Sequence, residues 1–225
     1  KYSDNIVGSV NLLNQMVANN IKKIIFSSTA AVYGDKNGVM DESTGVEPIN
    51  FYGFTKLKIE EILKWYNQIH GIDYVAFRYF NVAGDELTYV DPNAENIFPI
   101  IMEVIKRKRD KLVIFGEDFD TDDGSGVRDY VDVRDLVDAH ILAVDTDYVG
   151  VLNLGSGSGF SVKELVSAFN RISGADVNVE IGPRRVGDPG RLIASNEKAK
   201  QILGWEPKHD IDDMISSTIK AYDSL

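Results

Sequence analysis

Lys22-Lys23-Ile24-Ile25-Phe26-Ser27-Ser28-Thr29 is the stretch whose reading decides the fold. Its apolar middle reads as a short buried strand, and Ser27-Ser28-Thr29 falls at the carboxyl end of that strand. Upstream, residues 5–18 carry Ile6, Val7, Val10, Leu13, Met16 and Val17 at helical spacing, closed by Asn19-Asn20. Downstream, a loop runs through Pro48, and a helix is predicted over roughly 52–69, with Ile59, Ile62, Leu63 and Tyr66 as its buried stripe. Residues 73–80, Asp-Tyr-Val-Ala-Phe-Arg-Tyr-Phe, read as the next strand. Helix, strand, helix, strand in that order indicates a parallel sheet with crossover helices.

After Asn81 the pattern changes. The segment 81–95 is polar and loop-like, with Gly84 and Pro92. Helical spacing resumes over 96–109, and Leu112–Phe115 reads as a strand. Residues 118–126 are acidic and contain glycine, as a hairpin or flap would. Strands are expected at 130–133, 151–154 and 177–181, and helices at 134–145, 161–173, 196–203 and 210–224. The helix at 161–173 has Ser161 as its cap and Gly174 after it. Gly155-Ser156-Gly157-Ser158-Gly159 invites a phosphate-loop reading, but Phe160 stands where the last glycine of a dinucleotide fingerprint belongs. The loop also lacks a P-loop's Lys-Ser/Thr ending, so the expectation is a strand-to-helix turn.

The 225 residues are 44% hydrophobic and 26% charged, which suits a globular protein with one large core or a core and a smaller lobe. A net charge of -11 argues against a nucleic-acid surface, which needs a basic face. The run Lys106-Arg107-Lys108-Arg109 reads as a solvated helix end. Without cysteine there is no disulfide and no thiolate chemistry, and His70, His140 and His209 lack ligand spacing, so no metal is expected. No apolar run reaches the roughly 20 residues of a membrane span, and no signal peptide opens the chain, which points to the cytoplasm.

Tyr52 and Lys56, four apart at the start of the 52–69 helix, share one face of it. A phenol of pKa about 10 is ionised in only about one molecule in a thousand at pH 7, and a neighbouring ammonium favours its charged form. The pair can therefore transfer protons, although a surface tyrosine packed on a lysine stem has the same spacing. Thr29 follows one strand, Asn81 follows the next, and the Tyr52 helix crosses between them. Open parallel sheets bind ligands at the carboxyl ends of their strands. A hydroxyl, a phenol and an ammonium are thus expected to converge on one crevice.

Ser-Ser-Thr-Ala-Ala-Val-Tyr-Gly at 27–34, Tyr-Gly-Phe-Thr-Lys at 52–56 and Arg-Tyr-Phe-Asn-Val-Ala-Gly at 78–84 resemble the extended short-chain dehydrogenase/reductases. The block at 114–136, with Asn-Leu-Gly-Ser-Gly at 153–157 and Pro-Arg-Arg-Val-Gly-Asp at 183–188, is similar to the UDP-glucose 4-epimerase family. The likeness runs from Tyr2 to the carboxyl end. It implies an α/β fold: a partial Rossmann-like, doubly wound parallel sheet with a smaller C-terminal α/β lobe that binds the nucleotide sugar. The core would comprise 1–82 with 129–155, and the lobe 83–128 with 156–225. The family's opening strand, glycine loop and helix, which hold the NAD pyrophosphate, have no match here. The chain is expected to start about a third of the way into the family's length and, as it stands, not to hold NAD tightly.

Position by position, the resemblance makes Tyr52 the catalytic base and acid. Lys56 would bind the nicotinamide ribose and depress the tyrosine pKa, and Thr29 would hydrogen-bond the sugar 4-hydroxyl. NAD is the implied cofactor, with Asn5, Ser27, Ser28, Tyr79 and Phe80 beside it. Asn5 serves equally well as a helix cap, and Tyr79 and Phe80 as core. For a UDP-hexose, Asn81, Asn96, Ile97, Val113, Phe115, Arg128, Tyr130, Arg185, Asp188 and Leu192 match contacting positions. Val113 and Phe115 would flank the uracil, Asp188 would hold a ribose hydroxyl, and Arg128 and Arg185 would fork onto the diphosphate. Salt bridging of the arginines to Asp129 or Asp188 is the plainer alternative. Leu192 stands where the family controls room for a 2-acetamido group, which leaves N-acetyl sugars open. The implied reaction is NAD-dependent 4-epimerisation of UDP-glucose and UDP-galactose through a 4-keto sugar, in a homodimer built on the helices at about 5–18 and 52–69. A nucleotide-sugar reductase, decarboxylase or dehydratase is the alternative enzyme, and a UDP-sugar-binding module without turnover the alternative for the isolated chain. Ala30-Ala31 after Thr29 disfavours a dehydratase, which places an acidic pair there.

Overall fold

The computed structural model describes residues 2–85 and 96–224. A π-helical turn at Tyr2–Val7 leads into α1 (Gly8–Ala18), and β1 (Lys23–Thr29) follows. A 3-10 turn at Ala30–Tyr33 precedes β2 (Gly38–Met40), α2 (Phe51–His70), β3 (Asp73–Tyr79) and β4 (Asn81–Ala83). The rest of the expected 81–95 loop lies outside the described residues from 86 to 95. Then come α3 (Ile97–Ile105), β5 (Leu112–Phe115), β6 (Val127–Asp132), α4 (Val133–Val144), β7 (Gly150–Leu154), β8 (Gly159–Ser161) and α5 (Val162–Ser173). The chain finishes with β9 (Val179–Gly182), β10 (Arg191–Ala194), α6 (Glu197–Leu203) and α7 (Ile211–Asp223).

The expected parallel sheet is present as β1-β3-β7, with Thr29 paired to Tyr79 and Tyr79 to Leu154 at the carboxyl ends. Its strands are covered on both faces, as parallel strands must be. Tyr74 and Ala76 of β3 turn to Leu13 and Met16 of α1 and Ile59 and Leu63 of α2. Val75 and Phe77 turn the other way, to Leu136, Ala139 and Ala143 of α4 and Trp205 beyond α6. Burying each large side chain of this kind contributes about 1.5–3 kcal/mol.

A second sheet runs β2-β10-β6-β4, parallel throughout, with β8 antiparallel on β6. Beside it β5 and β9 form a parallel pair. Phe98, Ile101 and Met102 of α3, Leu165 and Phe169 of α5 and Met214 and Ile215 of α7 build a separate core there. The hydroxyl-ended strand is longer than its apolar run, because Ser27, Ser28 and Thr29 continue the ladder opposite Phe77, Arg78 and Tyr79. The helix expected over 96–109 stops at Ile105. Lys106 caps it and Arg107 turns to a positive φ of 58°, so the basic run lies just past the helix end.

Candidate active site

The start of α2 is set by its own sequence. Asn50 caps it, its side chain accepting from Gly53 N at 2.8 Å, and Gly71 closes it in the left-handed region. Gly53 lets the first turn lie directly on the 3-10 turn, since a Cβ there would stand 2.6 Å from the carbonyl oxygen of Ala31. That approach brings Tyr52 to the end of β1, where its phenol hydrogen-bonds the Thr29 side chain. Thr29 Oγ1 also accepts from Ala31 N at 3.2 Å, which fixes it at the head of the 3-10 turn. Lys56, one helical turn on, donates from Nζ to the Ser27 carbonyl at 2.9 Å, and its ammonium lies 4.9 Å from the Phe26 ring centroid.

The electrostatics differ from the expectation in one respect. Burial pushes the Tyr52 phenol above its ordinary value, and only the Thr29 hydrogen bond pulls it back. The net shift is upward although Lys56 lies one helical turn away. The ammonium is 5.7 Å from the ring centroid, engaged with a strand carbonyl, and its own pKa is lowered by burial.

The expected cofactor set divides. Ser27 sits at the crevice, its Oγ hydrogen-bonded to the Tyr79 hydroxyl at 3.0 Å. Tyr79 also meets His140 Nε2 at 2.8 Å, and His140 Nδ1 is bonded to the Leu136 carbonyl at 2.8 Å. The carbonyl can only accept, so Nδ1 carries a proton, and in the neutral ring Nε2 then accepts from Tyr79. Ser28 does not belong to the crevice: the pleat turns it inward, buried, to donate to Glu60. Phe80 is core, buried against Tyr33, Val32 and Ala194. Asn5 is not a helix cap; it lies in the π-helical turn and donates to Thr55 Oγ1 at 2.9 Å, tying that turn to α2.

The expected substrate positions gather more closely. Asn81, Asn96, Ile97, Val113, Phe115, Arg128, Tyr130, Arg185 and Asp188 all line one cleft of about 420 Å³. Thr29 stays with Tyr52, so the hydroxyl and the phenol meet as expected, while Asn81 lines the cleft and donates to the Asp129 carbonyl at 3.1 Å. Leu192 is not among the cleft residues; it packs on the Phe80 and Tyr33 cluster. Arg128 forks between the Val127 carbonyl at 2.8 Å and Asp188 Oδ1 at 2.6 Å, the plainer pairing. Arg185 lies over the Phe115 ring at 3.9 Å, and Arg184 over Phe119 at the same distance. Among the described residues no group of three or more His, Cys, Asp or Glu side chains could hold a metal, and no helix is long and apolar enough to cross a membrane.

The glycine-serine loop is a turn that closes on the protein's own carboxylate. Asp129 accepts from Ser156 N and Oγ, both at 2.7 Å, and from Gly157 N and Ala194 N, both at 3.0 Å. Four donors converge there as they would on a phosphate oxygen. Burial pushes the Asp129 carboxyl up against those donors. Sequence reasoning missed this residue and also Glu60, Arg78 and His140. Only Glu60 left a signal, as the third member of a four-residue spacing with Tyr52 and Lys56.

A parallel sheet with a tyrosine-lysine pair at its carboxyl edge, and a cleft lined by Arg128 and Arg185 on the second sheet, define a Rossmann-like α/β protein. Residues 1–155 match the NAD dependent epimerase/dehydratase family, and the chain belongs to that family. It is 44% identical over 222 residues to the UDP-glucose 4-epimerase of Halalkalibacterium halodurans, a match covering 92% of this chain and 65% of that one. With the enzyme of the same name from Lacticaseibacillus casei it shares 46% over 228 residues, 97% of this chain and 69% of that one. The crystal structure of UDP-glucose 4-epimerase from Bifidobacterium longum in complex with NAD+ and UDP superposes with a TM-score of 0.91 at 35% identity, covering 99% of this chain and 70% of that one. The chain thus spans about two thirds of the length of the relatives it matches.

Proposed function

We propose that this chain carries the proton-transfer and nucleotide-sugar-binding parts of a UDP-glucose 4-epimerase, interconverting UDP-glucose and UDP-galactose. The observation that carries this is the cleft: every substrate position assigned by resemblance, apart from Thr29 and Leu192, lines the same 420 Å³ of space. Arg128 and Arg185 offer guanidinium forks to a diphosphate in a protein whose overall charge of -11 would otherwise repel it. Binding requires Arg128 to exchange Asp188 for phosphate, which frees that carboxylate for a ribose hydroxyl. Val113 and Phe115 give the uracil an apolar seat.

The residues at the sheet edge fit NAD in part. An ammonium has three donors and Ser27 takes one, so Lys56 can also hold ribose hydroxyls, beside Tyr52, Ser27 and Tyr79. Ser28 and Phe80 are turned away and hold nothing there by their side chains. When bound, NAD supplies a hydride acceptor and the positive charge of its oxidised ring. Tyr52 takes the proton of the sugar 4-hydroxyl, with Thr29 bonded to both oxygens, and returns it once the sugar has turned over. Thr29 thereby keeps the phenol oriented through a cycle in which its protonation changes twice.

We read the two packed cores as two lobes. Residues 1–82 with 129–155 hold the proton-transfer edge, and 83–128 with 156–225 supply most of the cleft, to which the first lobe adds Asn81 and Tyr130. The apolar side chains that α1 and α2 leave exposed, Leu12, Phe51, Trp65 and Ile69 among them, support a homodimer through those helices. A cytoplasmic location is part of the same reading.

The test is an assay of this chain, and of a version extended to its relatives' full length, with UDP-galactose and NAD. Tyr52→Phe is expected to abolish conversion while UDP still binds by calorimetry. Turnover like the parent's would end the assignment of Tyr52, and a 6-deoxy-4-keto product would move the reaction to a dehydratase.

A further inference from the structure

Tyr52, Lys56 and Glu60 follow one another at four-residue intervals along α2 and so lie on one face of it. The first two meet the end of β1, and the third is buried beneath them. Glu60 Oε1 and Oε2 accept from Arg78 Nε at 3.1 Å and Nη2 at 2.7 Å, a two-armed pair with both side chains 6% exposed. Ser28 donates to the same Oε1. The remaining arm of Arg78, Nη1, donates to the Tyr33 hydroxyl at 3.1 Å, and Tyr33 bonds Asn153 Oδ1 at 2.7 Å.

These residues form a row across the sheet. Ser28 pairs with Arg78 and Arg78 with Asn153, one step behind the row that carries Thr29 and Tyr79. Glu60 is the member that belongs to the helix. We propose that the Glu60–Arg78 pair is a positioning device, fixing the rotation and height of α2 over the sheet so that Tyr52 meets Thr29 and Lys56 meets Ser27. This rests on the reading of Tyr52 as the proton-transfer group.

Stability does not account for the pair. A buried ion pair replaced on both sides by apolar residues is commonly no less stable, whereas losing one partner strands a charge. Apolar contacts are non-directional, so Ile59 and Leu63 hold α2 to the sheet without setting its angle. A rotation by one residue is about 100°, enough to carry a phenol out of reach. A two-armed carboxylate-guanidinium contact tolerates no such slip. Because Arg78 is itself held by Tyr33 and, in register, by the neighbouring strands, the reference it gives the helix is rigid.

The test is Glu60→Leu with Arg78→Met, made in the chain with 3-fluorotyrosine at position 52 and compared with the same label in the parent. Three quantities are read: the urea midpoint, the 19F titration midpoint of residue 52, and UDP affinity. The urea midpoint and UDP affinity are expected to hold, while the titration midpoint drops from its raised value toward that of free 3-fluorotyrosine as the ring leaves its half-buried site. In steady state with UDP-galactose and NAD, measured in the version extended to its relatives' full length, kcat is expected to fall about a hundredfold at unchanged KM. A parental titration and parental kcat in the double variant would overturn the proposal. Should it not fold, Glu60→Gln, which keeps the shape and loses the charge, is judged by the same titration. If Tyr52→Phe proves active, the proton-transfer reading falls, and the fluorine signal still decides whether the pair places residue 52.

Discussion

Arg128 shows how a single residue can be read correctly by type and still be occupied otherwise. Its fork was assigned to a diphosphate, and it lies in the cleft, but Asp188 holds it at 2.6 Å with the arginine side chain only 16% exposed. A partly buried guanidinium and carboxylate can part only if the incoming anion matches the fork. Arg128→Lys keeps the charge and loses the fork, so it is expected to weaken UDP binding about tenfold or more by calorimetry with the urea midpoint little changed. Equal affinity would remove Arg128 from the diphosphate site. Residue types at spaced positions were legible because the cleft draws on strand ends and loops whose motifs are contiguous. Phe80 takes the core place that its strand-end position equally allowed, while the inward turn of the Ser28 side chain is something that spacing does not contain. In β1 the pleat alternates, and the inward hydroxyl of Ser28 meets its acceptor in Glu60, thirty-two residues away.

At the level of elements, the long helices and the central strands were visible because each carries its own period and caps. The strands β2, β4, β8 and β10 were not, and Asn81–Ala83 had read as the start of a loop. With three or four residues apiece they show no period, and they exist because neighbouring strands supply their ladders. Two close approaches are correspondingly tight, that of α2 to the 3-10 turn and that of the 155–159 turn to Asp129. Gly53→Ala would drive a methyl into the Ala31 carbonyl, so α2 must lift at its first turn. The expected result is a loss of about 1–3 kcal/mol in urea unfolding and a fall in kcat with UDP binding retained. A neutral effect on kcat would show that Tyr52 does not depend on this approach. Asp129→Asn tests the turn at 155–159, where an amide can accept from one side but would present its own N–H groups to the backbone donors of Gly157 and Ala194. A cost of at least about 2 kcal/mol is expected. Gly155 belongs to the same close packing, since a Cβ there would stand 2.6 Å from the Asp129 carboxylate. An unchanged urea midpoint would mean that the loop does not rely on that carboxylate.

For the whole molecule, the decisive quantity is how many phenols folding takes out of water. Tyr33, Tyr52, Tyr74, Tyr79 and Tyr130 are all raised above the ordinary tyrosine value, and burial is the first cause in each. A group raised by folding keeps its proton in the native chain at pH values where the unfolded chain has released it. The native state then binds more protons, and stability falls as pH rises. The contribution is intact below about pH 10, the unfolded tyrosine value, and is lost above it. Lys56, lowered by burial, acts in the opposite direction, but it is one group against five. Lys200 and Lys208, raised by their carboxylate partners, lose their contribution in the same alkaline window. Repulsion within an already acidic chain grows there too, so the overall slope alone does not identify the phenols. Tyr130→Phe does, because it deletes the phenol that burial shifts furthest and leaves the net charge at neutral pH untouched. The urea midpoint of the parent is expected to hold up to about pH 10 and fall steeply above it, and that of Tyr130→Phe to fall less steeply. Parallel curves would mean that the alkaline loss comes from the surface charge and that the buried tyrosines do not set it.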